Sequence, residues 1–98
     1  MIKELQAIYT KRKSFYYKAK LNYINDDIIL LLSYDIVIIT YNKNDNSLKF
    51  ADNEDFYTLT TLSHVREFLE QFNFNNLILP KSKLLKLLKK NNFIIKIK

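Results

Sequence analysis

The stretch DIILLLSYDIVIITY, residues 27–41, alternates between two sets of side chains, and both sets are mostly apolar. This period-two pattern predicts a central β-strand. A single straight strand of that length would extend about 46 Å at roughly 3.3 Å per residue. A globule of 98 residues is only about 33 Å across, given an expected radius of gyration near 13 Å. The strand therefore has to bend or turn, and Ser33, Tyr34 and Asp35 form the polar point where it can.

Two geometries are open at residues 33–35. A β-bulge would bend the strand and change which face points inward, whereas a tight turn would make a hairpin. We favour the bend, because these residues include neither glycine nor asparagine for a two-residue hairpin. The whole chain lacks glycine, so turns that need positive φ have to use Asn or Asp.

The sequence outside this stretch predicts further elements. Residues 14–24 alternate as a strand with one buried face, and residues 47–51 indicate a short strand. Residues 2–10 are typical of a short helix. An edge strand is expected at residues 93–98, where the lysines discourage further pairing.

Two longer helices follow from apolar spacing. The first begins at Thr60 or Thr61, either of which can serve as its N-cap. The second spans residues 84–91 and can be capped by Ser82. The apolar stripe of the first helix consists of Leu62, Val65, Phe68, Leu69 and Phe72. The sequence therefore predicts an α+β fold, a single domain over residues 1–98. We expect a small antiparallel sheet of three to five strands with a bent central strand, packed with two α-helices.

The composition excludes several classes of site. Without cysteine there can be no disulfide, thiolate zinc site or cysteine nucleophile. Without glycine there can be no glycine-rich phosphate loop. The longest apolar run is shorter than a membrane span of about 20 residues, and the N-terminus lacks the apolar core of a signal peptide. We expect a soluble cytoplasmic protein that contacts no membrane and has no catalytic, cofactor or metal site.

The net charge of +6 is unevenly distributed. Residues 1–25 carry six basic residues against Glu4, residues 26–70 carry three against nine acidic residues, and residues 81–98 carry seven lysines and no acid. Two basic ends thus flank an acidic middle, which indicates a partner surface or only a solvated one. In the first case the candidate nucleic-acid-binding residues are Lys11, Arg12, Lys13, Tyr16, Lys18, Lys20, Lys83, Lys86, Lys89 and Lys90.

The segment FYTLTTLSHVREFLEQF, residues 56–72, contains the only histidine, His64. A catalytic histidine needs a nucleophile or carboxylate oriented against it, and Ser63, adjacent in sequence, points to another face of a helix. We therefore expect His64 to be half-buried and to brace the threonine-rich turn against the sheet. The preceding Asp52, Glu54 and Asp55 form an acidic loop.

Three motifs in this chain resemble a family of small uncharacterised proteins from phages, prophages and plasmids of low-GC bacteria. They are SFYYKA at 14–19, SYD at 33–35 and YTLTTLSHVREFLEQ at 57–71. The family pattern reads SY[N/D]T, then YSATTxxH[I/V]xEFLxQ, and the match covers residues 14–75. Tyr17 replaces a favoured glycine, Ile36 a threonine, and Thr58-Leu59 a Ser-Ala pair. The resemblance implies a mobile-element setting and an α+β domain.

We expect a non-enzymatic accessory protein of a phage or mobile element that binds a host protein or ribonucleoprotein effector in the host bacterium's cytoplasm. Its most concrete form is a counter-defence inhibitor of anti-CRISPR type. The alternative is a nucleic-acid-binding regulator that uses the basic N- and C-terminal segments, and a third hypothesis is a nuclease that relies on His64. A homodimer is also possible, because the central strand is apolar on both faces. The candidate partner-binding residues are Asp52, Glu54, Asp55, His64 and Arg66.

Overall fold

The computed structural model describes residues 1–97. Its strands and helices, in chain order, are β1 (Ile2–Glu4), β2 (Ala19–Tyr23), β3 (Ile28–Ser33), β4 (Ile36–Asn42), β5 (Ser47–Phe50), α1 (Leu59–Gln71), α2 (Lys81–Lys90) and β6 (Ile94–Lys96). Short 3₁₀ turns lie at Glu54–Phe56 and Asn75–Leu77. The predicted α+β class and the two α-helices are confirmed. The sheet has six strands, more than the three to five predicted.

The sheet is antiparallel throughout, and its spatial order follows the sequence order from β1 to β6. The last strand returns to pair with β5 after both helices, at the edge position that the sequence predicts for it. The two basic ends of the chain therefore reach opposite edges of the sheet, β1 and β2 on one side and β6 on the other.

The expected bend at residues 33–35 is instead a two-residue hairpin turn, so that prediction was wrong. Ser33 pairs with Ile36, and Tyr34 and Asp35 between them have φ values of 51° and 64°. Both central residues are left-handed, as a type I′ turn requires. Each costs roughly 1–2 kcal/mol without a glycine. We attribute the outcome to the apolar pairing of β3 with β4, which offsets that cost.

A β-bulge does exist, but it lies within β4 and not at the turn. Leu31 pairs with Ile39 and Leu32 with Val37, so Ile38 is the extra residue. Ile38 and Ile39 are consequently both buried although they are adjacent in sequence. The bulge explains why buried and exposed side chains do not alternate strictly in the second half of residues 27–41.

The core lies on one face of the sheet. Ile29, Leu31 and Leu48 on that face belong to one cluster of buried side chains with Phe68 of α1 and Leu84 of α2. Alternate residues of the same strands point away from both helices. We call this side the open sheet face; by strand register it carries Asn22, Ile28, Leu30, Leu32, Val37, Thr40, Lys49 and Ile94.

The N-terminal segment departs from its predictions. Residues 2–4 form β1 and not part of a helix, and the strand predicted over residues 14–24 begins only at Ala19. The chain makes a separate turn before it, at Tyr16 and Tyr17, whose φ values are 52° and 62°. Phe15 is nevertheless buried, as the predicted strand pattern required.

The N-caps of both helices differ from those expected. The side chain of Thr58, and not of Thr60 or Thr61, accepts a hydrogen bond at the start of α1, from the N–H of Thr61 at 3.2 Å. Pro80 precedes α2 without a side-chain cap, so Ser82 lies inside the helix. Neither helix, among the residues described, has the length and apolar character needed to cross a membrane.

Candidate functional site

Two left-handed turns lie side by side at one end of the sheet. In the first, the Lys18 N–H donates to the carbonyl of Phe15 at 3.0 Å across Tyr16 and Tyr17. In the second, Tyr34 begins the β3–β4 turn, and its N–H donates to the carbonyl of Lys18 at 2.8 Å. This bond joins the two turns, so four left-handed residues without a glycine among them meet in one place.

The tyrosines of these turns face solvent. Tyr16 is 72% exposed, Tyr17 68% and Tyr34 48%. The Lys18 ammonium lies 5.7 Å from the centre of the Tyr34 ring, which is within cation–π range. We call Tyr16, Tyr17, Lys18 and Tyr34 the tyrosine surface. Exposed tyrosines of this kind are typical of macromolecular interfaces, where aromatic residues are enriched.

Charges around the tyrosine surface are mostly basic. Lys11, Arg12 and Lys13 are exposed and precede it directly in the chain. Lys20 forms an ion pair with Asp35 at 2.9 Å, so this predicted nucleic-acid contact is already engaged. Glu4 accepts hydrogen bonds from the N–H of Tyr17 at 3.0 Å and the hydroxyl of Ser14 at 3.4 Å.

A buried polar cluster supports the tyrosine surface from below. Ser33 Oγ lies 2.9 Å from Thr61 Oγ1 and 2.8 Å from His64 Nδ1. The His64 ring packs edge-on against Phe15, with the centroids 4.7 Å apart, and lies 5.9 Å from the Tyr34 ring. His64 thus packs against residues of both left-handed turns, and its bond to Ser33, which also contacts Thr61, links the threonine-rich start of α1 to the sheet as expected.

His64 is only 1% exposed and more deeply buried than expected. It was predicted as a candidate partner contact, and that assignment has to be corrected because its ring does not reach solvent. Burial lowers the pKa of the imidazole from 6.5 to about 4, and the positive charge of nearby Arg12 acts in the same direction. His64 is therefore neutral at pH 7.

The Ser33–His64 contact has one element of nucleophilic catalysis, a hydroxyl bonded to an imidazole. In residues 1–97 no carboxylate hydrogen-bonds to the second ring nitrogen of His64, and Ser33 is itself only 2% exposed. Within the same residues, no group of three carboxylate, imidazole or thiolate side chains could hold a metal ion. The geometry fits a structural link better than a reaction centre.

A buried carboxylate fixes the loop that leads to the tyrosine surface. Glu67 of α1 accepts hydrogen bonds from the N–H of Tyr9 at 2.9 Å and the N–H of Thr10 at 3.1 Å. The Gln71 side-chain amide donates to the same carboxylate at 2.7 Å. These bonds hold the backbone of Tyr9 and Thr10, just before the basic residues 11–13, against α1.

The acidic candidates lie beside the N-terminus of α1. Glu54 forms an ion pair of 2.7 Å with Lys89, which joins one predicted partner-binding residue to one predicted nucleic-acid-binding residue. Asp55 lines a shallow cavity of about 430 Å³ together with Tyr34 and Ile36. Asp52 is exposed, and it reinforces the effect of burial in raising the pKa of the Tyr57 hydroxyl.

The remaining candidates lie on the helices. Arg66 is exposed and lines a groove of about 590 Å³ along α1, with Tyr9, Glu70 and Leu79 on its walls. The α2 lysines form the exposed side of that helix, whereas Leu84 and Leu88 dock onto the core. These predicted residues are Lys83, Lys86, Lys89 and Lys90.

Sequence reasoning identified Tyr16, Lys18 and His64, but it missed Tyr17, Ser33 and Tyr34 as parts of the same site. The strand predicted over residues 14–24 places Tyr17 on its buried face, and the sequence favours a bend at residues 33–35. The helical spacing of Glu67 and His64 predicts only a local surface pair, whereas Glu67 is buried and binds Tyr9 and Thr10. A polar Ser–Tyr–Asp break between two apolar runs was the available signal for the missed hairpin.

Comparison with known proteins places the chain in a family. The model of a family of unknown function, DUF8033, matches residues 3–86, which is most of the chain, so the protein belongs to that family. No curated protein and no solved structure matches the sequence.

Proposed function

We propose that this member of the DUF8033 family acts without covalent chemistry, by binding a host macromolecule through the tyrosine surface. The observation that carries the proposal is the conformation of Tyr16 and Tyr17, which are left-handed while their rings remain in solvent. Left-handed backbone without glycine is unfavourable, and residues held in such conformations concentrate at functional sites.

The resemblance to phage, prophage and plasmid proteins gives this binding activity a setting. In that setting the most concrete partner is a defence effector of the host, and the protein is a counter-defence inhibitor of anti-CRISPR type in the bacterial cytoplasm. The acidic segment is the weaker choice of interface, because Glu54 is already paired with Lys89.

A non-catalytic mode is supported by where the chemically capable side chains lie. Ser33 and His64 are both buried, and the Ser33 hydroxyl is hydrogen-bonded to His64 and Thr61. The tyrosines, in contrast, offer contact area with few rotatable bonds to immobilise, which favours binding.

The proposal is tested by plasmid interference in cells that carry an active CRISPR effector. Wild-type protein is expected to restore transformation by a targeted plasmid, and Tyr16→Ala with Tyr17→Ala to abolish the effect. Tyr9→Ala is the matched control, since Tyr9 is also exposed, at 60%, but lies in the α1 groove. Full activity of the double variant, with folding confirmed by circular dichroism, would contradict the proposal.

A second candidate is a nucleic-acid-binding regulator, and the contact between Lys18 and the Tyr34 ring favours it. Such a regulator bends or occupies nucleic acid by itself, with no defence effector involved. It predicts unchanged plasmid interference together with binding to nucleic acid that weakens as salt rises. The N-terminal basic segment directly precedes the tyrosines in the chain, whereas α2 leads into β6, which lies at the opposite edge of the sheet.

A further inference from the structure

We infer that the ligand of the tyrosine surface is single-stranded nucleic acid. The inference rests on the second candidate function, the nucleic-acid-binding regulator, and names the form of nucleic acid that the same surface binds. Three exposed phenol rings, Tyr16, Tyr17 and Tyr34, stand at the tips of two turns, and Tyr34 also lines the shallow cavity beside Asp55. Flat rings in this position match flat bases, since every base has a face on which an aromatic side chain can stack.

Charge complementarity selects an anionic partner. In the described part of the chain, Lys11, Arg12, Lys13 and Lys18 form no ion pair. Of the acids near the surface, Asp35 is paired with Lys20 and Glu4 accepts hydrogen bonds from Ser14 and Tyr17, while Asp55 lines the cavity beside Tyr34. Lys18 beside the Tyr34 ring, and three further cations just before Tyr16 in the chain, match the phosphates and bases of a strand.

A single strand fits better than a duplex. Bases in a duplex are stacked on one another, so exposed rings cannot reach their faces, whereas an unpaired strand can splay its bases onto protein aromatics. The hydrogen bond from Tyr34 to Lys18 fixes the two turns relative to each other. The two turns that carry the rings are therefore held relative to each other before binding, which reduces the entropy lost when a strand is captured.

The same reasoning excludes α2 as part of this site. Residues 81–90 contain six basic or polar positions but no aromatic side chain, so α2 has charge without a stacking platform. Its lysines supply the matched control, because Lys83→Gln with Lys86→Gln removes the same charge as Lys11→Gln with Lys13→Gln, but from a helix that has no aromatic side chain.

Fluorescence anisotropy with labelled 20-nucleotide oligothymidylate and oligouridylate tests the inference, at 50 and 200 mM salt. We expect saturable binding that Tyr16→Ala with Tyr17→Ala weakens by about tenfold or more. Tyr16→Phe and Tyr17→Phe, which keep the rings, should retain it. A plot of log affinity against log salt has a negative slope, and Lys11→Gln with Lys13→Gln should make that slope less steep by about 1.4. Lys83→Gln with Lys86→Gln should change neither quantity.

Absence of saturable binding at 50 mM salt would overturn the inference, as would an equal loss in the α2 control. The outcomes also separate it from the proposed function. If plasmid protection requires Tyr16 and Tyr17 but no oligonucleotide binds, the surface has a protein partner and only this inference fails. If oligonucleotides bind through the tyrosines but protection is unaffected by their loss, the inference stands and the counter-defence proposal fails.

Discussion

Tyr16 and Tyr17 hold an unfavourable backbone conformation that burial of their rings does not offset, because both rings are largely exposed. Glycine reaches left-handed φ without the clash that a β-carbon makes. Tyr16→Gly with Tyr17→Gly is therefore expected to raise the free energy of unfolding by about 1 kcal/mol, after the larger chain entropy of glycine is deducted.

The same glycine variant should lose binding, since it lacks both rings. A urea titration measures its stability, and the plasmid interference and anisotropy assays measure its function. A loss of stability together with retained function would show that the tyrosine rings are structural, contrary to our interpretation.

His64 gives the protein one isolated pH response. An imidazole with pKa 6.5 in the unfolded chain and about 4 in the folded state binds more protons when unfolded between those values. The contribution of neutral His64 to the free energy of unfolding is complete above pH 6.5 and falls as the pH drops toward 4. The expected loss is about 3 kcal/mol over that window.

The single imidazole makes the measurement direct. Its NMR titration should give a midpoint near 4, and urea titrations from pH 7 to 4 should show a steeper decline for wild type than for His64→Gln. The difference between the two proteins removes the contribution of the carboxylates, which titrate in both. An imidazole midpoint near 6.5 would mean that the ring is solvated.

At the scale of elements, the start of α1 depends on one hydroxyl. Thr58→Ala removes the acceptor for the Thr61 N–H and should lower the free energy of unfolding by about 1 kcal/mol, a typical value for an N-cap. Thr60→Ala is the matched control, because Thr60 lies within the helix and its side chain caps nothing. Thermal unfolding measures the stability of the two variants. An equal loss in both would mean that the Thr58 hydroxyl is not the N-cap.

The position of the loop between β1 and β2 is fixed on α1 by the carboxylate of Glu67. Replacing Glu67 with alanine leaves the N–H groups of Tyr9 and Thr10 without their acceptor. We expect a loss of about 2–3 kcal/mol and faster hydrogen exchange at those two amides. Glu70→Gln, one turn away on the same helix, should stay within about 0.5 kcal/mol of wild type.

Elements with strong periodicity were predictable, and those fixed by distant contacts were not. The apolar stripe through Val65, Phe68 and Leu69 specified α1, and the lysine-rich final strand was recognised as an edge. The hairpin at Tyr34 was missed because turn propensity alone opposes it, and only pairing of two apolar strands makes it favourable. Ser33 lies 31 residues from His64 in the chain, so no local pattern could join them.

At the scale of the whole molecule, the fold divides its surface into two unlike parts. The helices cover one face of the sheet, and within residues 1–97 no element covers the other. By strand register, Ile28, Leu30, Leu32 and Val37 lie together on the open sheet face, with Lys49 beyond them. An apolar patch with a polar rim is typical of an interaction site.

We expect two copies of the chain to pair through the open sheet face, because an apolar stripe can oppose itself across a two-fold axis. Sedimentation velocity should then show a dimer that dissociates on dilution. Leu30→Lys with Leu32→Lys should give a monomer, since it places buried like charges opposite each other. Tyr16→Ala with Tyr17→Ala should leave the dimer intact, because those residues lie at the end of the sheet and not on this face. A wild-type protein that is monomeric at 100 µM would contradict this prediction and would mean that the open sheet face contacts a different partner. A single copy of the chain would then bind the partner of the tyrosine surface.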